Sequence, residues 1–153
     1  KVMSKAADFL NAMEIPFEML ALSAHRTPDE VAEFAHKAAS RGVKVIIAGA
    51  GMAAALPGVI AAITPLPVIG VPLSATLQGQ DALLSIAQMP PGIPVATTGI
   101  DGAMNAAVLA VRILALADED VAQRYAAWRE AIGQKIVKAN AELAEIHYDF
   151  KTN

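Results

Sequence analysis

Residues Val43–Val71 read VKVIIAGAGMAAALPGVIAAITPLPVIGV, and this stretch decides the fold. Val43–Ala48 is an apolar run of strand length interrupted only by Lys44, and Pro67–Val71 is a second. Between them, Met52–Ile63 carries the spacing of a helix. A strand, a helix and a strand in such a short span form a crossover between parallel neighbours. Strands apolar throughout, with no polar alternation, are buried on both faces. No acidic residue falls between Val43 and Leu77, yet Gly49, Gly51, Pro57, Gly58, Pro65, Pro67, Gly70 and Pro72 cut the stretch into short pieces. A membrane span needs roughly twenty uninterrupted apolar residues, so the stretch is read as sheet and helix.

The same alternation runs outward in both directions. Phe17–Ser23 and Ile93–Thr97 read as two further strands, and Pro28–Ser40, Gln80–Gln88 and Gly102–Ala117 as helices. The expected class is α/β, a parallel sheet covered on both faces, in one domain over residues 1–153. The first element is a helix with Val2, Met3, Ala6, Phe9, Leu10 and Met13 on one face, ended by Pro16. No strand precedes it, so a doubly wound fold is expected to lack its opening strand. From Asp118 to about Tyr148 a long helix is predicted, its stripe formed by Val121, Tyr125, Trp128, Ile132, Ile136, Ala139, Leu143 and Ile146. It exceeds what one domain needs to cover its own sheet. The stripe is expected to pack on a neighbouring subunit, the alternative being a helix folded back on its own domain.

Composition narrows the classes of function. Of the 153 residues, 55% are hydrophobic and only 5% aromatic, which suits small aliphatic side chains packed on a sheet. Positive mean hydropathy without a membrane span points to extensive contact between subunits. The net charge is −3 and there is no basic run, which argues against nucleic acid as partner. Without cysteine there is no disulfide or thiol chemistry, and without a signal-peptide pattern the expected compartment is the cytoplasm. No histidine pair has metal-ligand spacing, so no metal is expected. No Gly-x-Ser-x-Gly elbow occurs.

The chemistry concentrates in Ser23-Ala24-His25-Arg26-Thr27-Pro28, which joins a proton carrier and an anion binder at a helix entrance. Thr27 is the expected N-cap, Pro28 the first helical residue, and Glu30 the far side of a capping box. His25 would then lie at the carboxyl end of the Phe17–Ser23 strand, the edge where open α/β sheets bind ligands. The bland alternative is a surface histidine in a loop. His36, between Glu33 and Lys37, and His147, near the carboxyl end, are read as solvated. Gly49, Gly51 and Ala54 satisfy the spacing of a dinucleotide fingerprint. That motif wants an acidic residue about twenty positions on, and none occurs between Glu33 and Asp81. The preferred reading is that Gly49 and Gly51 let main-chain N–H groups approach an anion or a planar ring. Ser74–Asp81 and Thr97–Asn105 are further loops at the same edge, with Asn105 either a ligand contact or a packing hydrogen-bonder. Gln88–Pro94 is a proline-rich, rigid entry to the last strand.

These segments in order carry a family resemblance. Ser23–Pro28, Ile47–Gly51, Leu56-Pro57-Gly58, Ser85–Pro90 with Gly92–Val95, and Asn105-Ala106-Ala107 resemble the N5-carboxyaminoimidazole ribonucleotide mutases of purine biosynthesis, the catalytic subunit of phosphoribosylaminoimidazole carboxylase. The likeness spans about residues 1–130 and favours the bacterial mutase type over the animal carboxylase type. It implies a flavodoxin-like three-layer α/β/α sandwich, assembled as a homo-octamer with active sites at subunit junctions. It also implies a small ribonucleotide as substrate and no cofactor. His25 would be the general acid/base, Ser23 and Arg26 would contact the phosphate or ribose, and Ala50 and Gly51 would lie beside the imidazole. Three departures stand out. The family's opening strand and Gly-Ser-x-Ser-Asp loop are not in this sequence, and the Pro72–Asp81 loop is about one residue short. Met52 and Ala55 also replace a glycine and a histidine of the family pattern. These departures leave a non-catalytic nucleotide-binding or scaffold protein of the same fold as the alternative.

Overall fold

The computed structural model describes residues 1–153. Its centre is a parallel sheet of three strands in the order β1 (Ile46–Gly51), β2 (Val68–Leu73) and β3 (Ala96–Thr97). Ile46 pairs with Val68 and Gly51 with Leu73, while Ile69 and Gly70 pair with Ala96 and Thr97. The helices are α1 (Ser4–Ala12), α2 (Pro28–Lys37), α3 (Leu56–Ile63), α4 (Gln80–Ala87), α5 (Ala103–Leu114) and α6 (Glu119–Ala144).

Strand alternation divides the core in two. Ile69 and Val71 of β2 face α1 and α5, where Phe9, Met13, Ala103, Ala106, Ala107 and Val111 bury with them. Ile46, Ala48 and Val68 face the other way, onto Val31, Ala35 and Ala38 of the α2 region and Ile60 of α3. The result is the expected sandwich of helix, sheet and helix layers. Four alanines on α5 (Ala103, Ala106, Ala107 and Ala110) are buried, so α1 and the sheet approach that helix closely. The long last helix is present and docks by its first half only. Asp118 caps it by accepting the Val121 N–H at 3.1 Å. Trp128 meets Phe9 of α1 edge-to-face at 4.9 Å, and Arg124 donates to the Met13 carbonyl at 2.9 Å. Beyond Trp128 every residue of α6 is exposed.

Four expectations are corrected. Phe17–Ser23 is not a strand: no neighbouring strand pairs with it, and Pro16–Leu22 form no main-chain hydrogen bonds. Phe17, Met19 and Leu20 are exposed, and Leu22 alone packs on the core beside Ile46 and Ala48. A strand exists only through a partner, and the outer edge of β1 is likewise unpaired. The strand expected at Val43–Ala48 runs Ile46–Gly51 instead, because the Val43 N–H closes the preceding turn on the Ala38 carbonyl. The helix expected from Met52 begins at Leu56, since Met52 and Ala54 take left-handed φ values of 58° and 43° that no helix accepts. The last strand shrinks to Ala96–Thr97, because Pro94 has no N–H and the Ile93 N–H bonds back to Pro90.

Candidate active site

The parallel strands bring three connections to the carboxyl edge of the sheet: the Met52–Ala55 turn after β1, the Ser74–Gly79 loop after β2 and the Thr98–Gly102 loop after β3. The turn before α2 follows the unpaired segment ahead of that helix.

The turn before α2 closes on itself. The Ser23 N–H donates to Thr27 Oγ1 at 3.0 Å, and both the N–H and the hydroxyl of Thr27 donate to the Ser23 carbonyl, at 2.9 and 3.2 Å. Inside this ring the Ser23 hydroxyl accepts the Arg26 N–H at 3.3 Å and Arg26 Nε at 3.4 Å. His25 sits at the apex, exposed, with its imidazole in no hydrogen bond. The expected capping box is absent. Thr27 begins α2, but its hydroxyl is spent on Ser23 rather than on the helix N–H groups. The first turn of α2 therefore keeps free donors, directly after Arg26.

Gly49 and Gly51 are each required by close packing. Both lie in strand β1, not in a loop. A methyl at Gly49 would fall 2.5 Å from the Met3 sulfur, so the missing side chain admits the start of the first helix. At Gly51 a methyl would fall 2.8 Å from Ala75 Cβ and 3.4 Å from the Leu73 carbonyl oxygen. The loop after β2 thus rests on Gly51. The dinucleotide spacing forms no phosphate loop, because both glycines are occupied by packing.

The remaining loops are tied to one another. Ser85 of α4 donates its hydroxyl to the Ala53 carbonyl, which holds the left-handed turn at Met52–Ala54 in place. Asp101 accepts the Ser74 N–H at 3.0 Å, and Gly79 lies against Ile100. Thr76 donates to the Asp81 carboxylate, and this bond, aided by the Ala82 N–H, holds the Asp81 carboxyl below the usual carboxylate range. With the folded value lowered, that contribution is present at neutral pH and is lost as pH falls through it. Sequence reasoning met Ser85 only as the start of the Ser85–Pro90 motif and did not single out Asp101, because their partners are 32 and 27 residues away. A cleft of about 420 Å³ opens on the outer side of the Ser74–Gly79 loop, lined by Leu77, Gln78, Gln80, Asp81 and Leu84. None of Ser23, His25, Arg26, Ala50 and Gly51 lines it. Asn105 is exposed in the first turn of α5, and His36 and His147 are solvent-facing. No three acidic or histidine side chains gather as a cation site.

A parallel sheet between two helix layers, with its loops gathered at the carboxyl edge, is the flavodoxin-like class of α/β protein. Within that class the assignment is specific. The chain belongs to the AIR carboxylase family, whose model matches residues 1–135. It is 56% identical over 130 residues to the N5-carboxyaminoimidazole ribonucleotide mutase of Pyrococcus abyssi, covering 84% of this chain and 75% of that one. It is 51% identical over 146 residues to the enzyme of the same name from Bacillus subtilis, covering 94% and 90%. Among solved structures, Treponema denticola PurE superposes with a TM-score of 0.85 at 29% identity, over 93% of this chain and 89% of that one.

Proposed function

We propose that this chain is a purine-biosynthetic enzyme that converts N5-carboxyaminoimidazole ribonucleotide to 4-carboxy-5-aminoimidazole ribonucleotide, with His25 moving the proton. The observation that carries this reading is the self-closed Ser23–Thr27 turn, which presents an unpaired imidazole beside Arg26 and the free N–H groups of α2. The high identity to named mutases supports the reaction class.

The chemistry needs one proton carrier. The bond between the exocyclic nitrogen and the carboxylate breaks, carbon dioxide leaves, and the nitrogen takes a proton from the His25 imidazolium. The neighbouring ring carbon then attacks carbon dioxide, and its proton returns to His25. The sum is an isomerisation, so neither ATP nor an electron acceptor is consumed. A histidine can serve as acid in the first half of the reaction and as base in the second. Arg26 and Ser23 hold the phosphate or ribose, giving up their mutual hydrogen bonds to do so. Ala50 and Gly51 offer a side-chain-poor surface beside the imidazole ring. Retaining the released gas requires a closed, water-poor cavity. The test is direct: purified protein given the carboxyamino nucleotide, without ATP, is expected to form the ring-carboxylated isomer. Tight nucleotide binding by titration without turnover would favour a non-catalytic nucleotide-binding role instead.

The working form in this reading is a cytoplasmic homo-octamer of one-domain subunits, residues 1–153, with active sites closed by neighbours. Ile132, Ile136, Val137 and Leu143 are exposed along the free half of α6, with Ile146 just beyond its end, and supply an apolar surface for a second copy. Ile136→Lys is therefore expected to shift the protein to smaller species in sedimentation equilibrium while far-ultraviolet dichroism stays close to that of the parent. An unchanged mass would overturn the role given to this helix.

A further inference from the structure

The sheet does not stop where β3 stops. Its last main-chain rungs run from Gly70 to Thr97 and from the Thr98 N–H to the Gly70 carbonyl, at 3.1 Å in the second case. Two residues further along β2, the Asp101 N–H donates to the Pro72 carbonyl at 2.8 Å. Two residues further again, Asp101 Oδ1 accepts the Ser74 N–H at 3.0 Å. One residue thus contributes a main-chain donor and a side-chain acceptor to successive rungs, and its carboxylate stands where a strand carbonyl would stand. The geometry requires a left-handed backbone, and Asp101 has φ 56°. Aspartate and asparagine tolerate that conformation better than most residues.

What this rung fixes is the loop that rests on β1. Directly after Ser74, the Ala75 N–H turns back to the Leu73 carbonyl at 2.8 Å, and Ala75 Cβ covers Gly51. At the far end of the loop, Gly79 (φ 83°) packs against Ile100, the neighbour of Asp101. The loop is therefore held at both ends by the Ile100–Asp101 pair. Within the loop the Gly79 N–H closes on the Thr76 carbonyl at 2.7 Å, and Leu77 and Gln78 are both left-handed, at φ 44° and 56°.

We propose that Asp101 is a positioning residue that latches the Ser74–Gly79 loop onto Gly51 and so sets the wall of the nucleotide site. The inference rests on the proposed function in placing Ala50 and Gly51 beside the imidazole ring. Asp101 touches no reacting atom in this account; it acts through Ser74 and Ala75.

The test compares Asp101→Gly with Asp101→Asn. Glycine keeps the left-handed backbone and removes only the acceptor, whereas asparagine keeps an acceptor oxygen in place. In Asp101→Gly, the Ser74 amide is expected to exchange with deuterium roughly tenfold faster and KM to rise roughly tenfold, the loss of one net hydrogen bond. The accompanying fall in kcat is expected to be smaller than the rise in KM. Asp101→Asn is expected to restore both readouts to near the parent values. Unchanged Ser74 exchange and KM in Asp101→Gly, beside an active parent, would overturn the inference alone. Equal damage in both variants would overturn it as well, because the acceptor would then not be the cause. Absence of turnover in the parent would overturn the proposed function, and with it this inference.

Discussion

His25→Asn is expected to lower kcat by about a thousandfold, within the range that removal of a positioned acid/base produces. The fold gives the reason for separating this effect from stability. The His25 side chain is exposed and unpaired, while the turn beneath it is held by Ser23 and Thr27, which the substitution leaves untouched. Thermal and urea unfolding should therefore stay within about 0.5 kcal/mol of the parent, as for a surface change away from any contact. Asparagine retains polarity and tolerates turns, so KM should move little. Such a pattern, with kcat lowered and KM held, marks an interaction made at the transition state rather than in the bound ground state. Turnover of His25→Asn at the parent rate would remove His25 from the mechanism.

The largest effect on stability is expected from a single methyl group. Gly70 lies in β2, the central strand, and a Cβ there would fall 2.4 Å from Ile86 Cγ2 and 3.1 Å from Val95 Cγ1. Ile86 is fully buried. Gly70→Ala should accordingly cost about 2–3 kcal/mol, the upper part of the range for overpacking a filled core. Gly133→Ala adds the same methyl to α6, where nothing lies within 4 Å, and should instead stabilise by up to about 1 kcal/mol through helix propensity. Urea midpoints of the two variants, moving in opposite directions, would show the effect to be packing at Gly70 and not a general intolerance of substitution. A Gly70→Ala midpoint equal to the parent's would show that α4 can shift away from the sheet.

The Val43–Val71 unit was legible because its information is local: two apolar runs, a helix between them and glycine or proline at each boundary. α6 was legible for the same reason, and its stripe divides where Trp128 makes the last docked contact. The Ser23–Thr27 turn was located correctly and its capping misassigned. A threonine before a proline at a helix start has the composition of a cap, and only three dimensions show that its hydroxyl is used on Ser23. Phe17–Ser23 illustrates the opposite case. Its residues have strand character, but strand formation is a property of two segments, and no neighbour pairs with this one. The latch at Asp101 was out of reach for a third reason. Asp101-Gly102 announces a turn, while nothing in the intervening residues announces that the carboxylate completes a rung with Ser74.

The free half of α6 has a thermodynamic consequence. A helix of that length is marginal in water on its own propensity, and from Arg129 onward all of its residues are exposed. If its apolar stripe is satisfied by another copy, the ordering of the arm and the joining of subunits become one equilibrium. Stability then belongs to the population of chains and not to the single chain, and it rises with the logarithm of concentration. Dilution acts on such a protein as a mild denaturant, releasing the arms before it loosens the sheet.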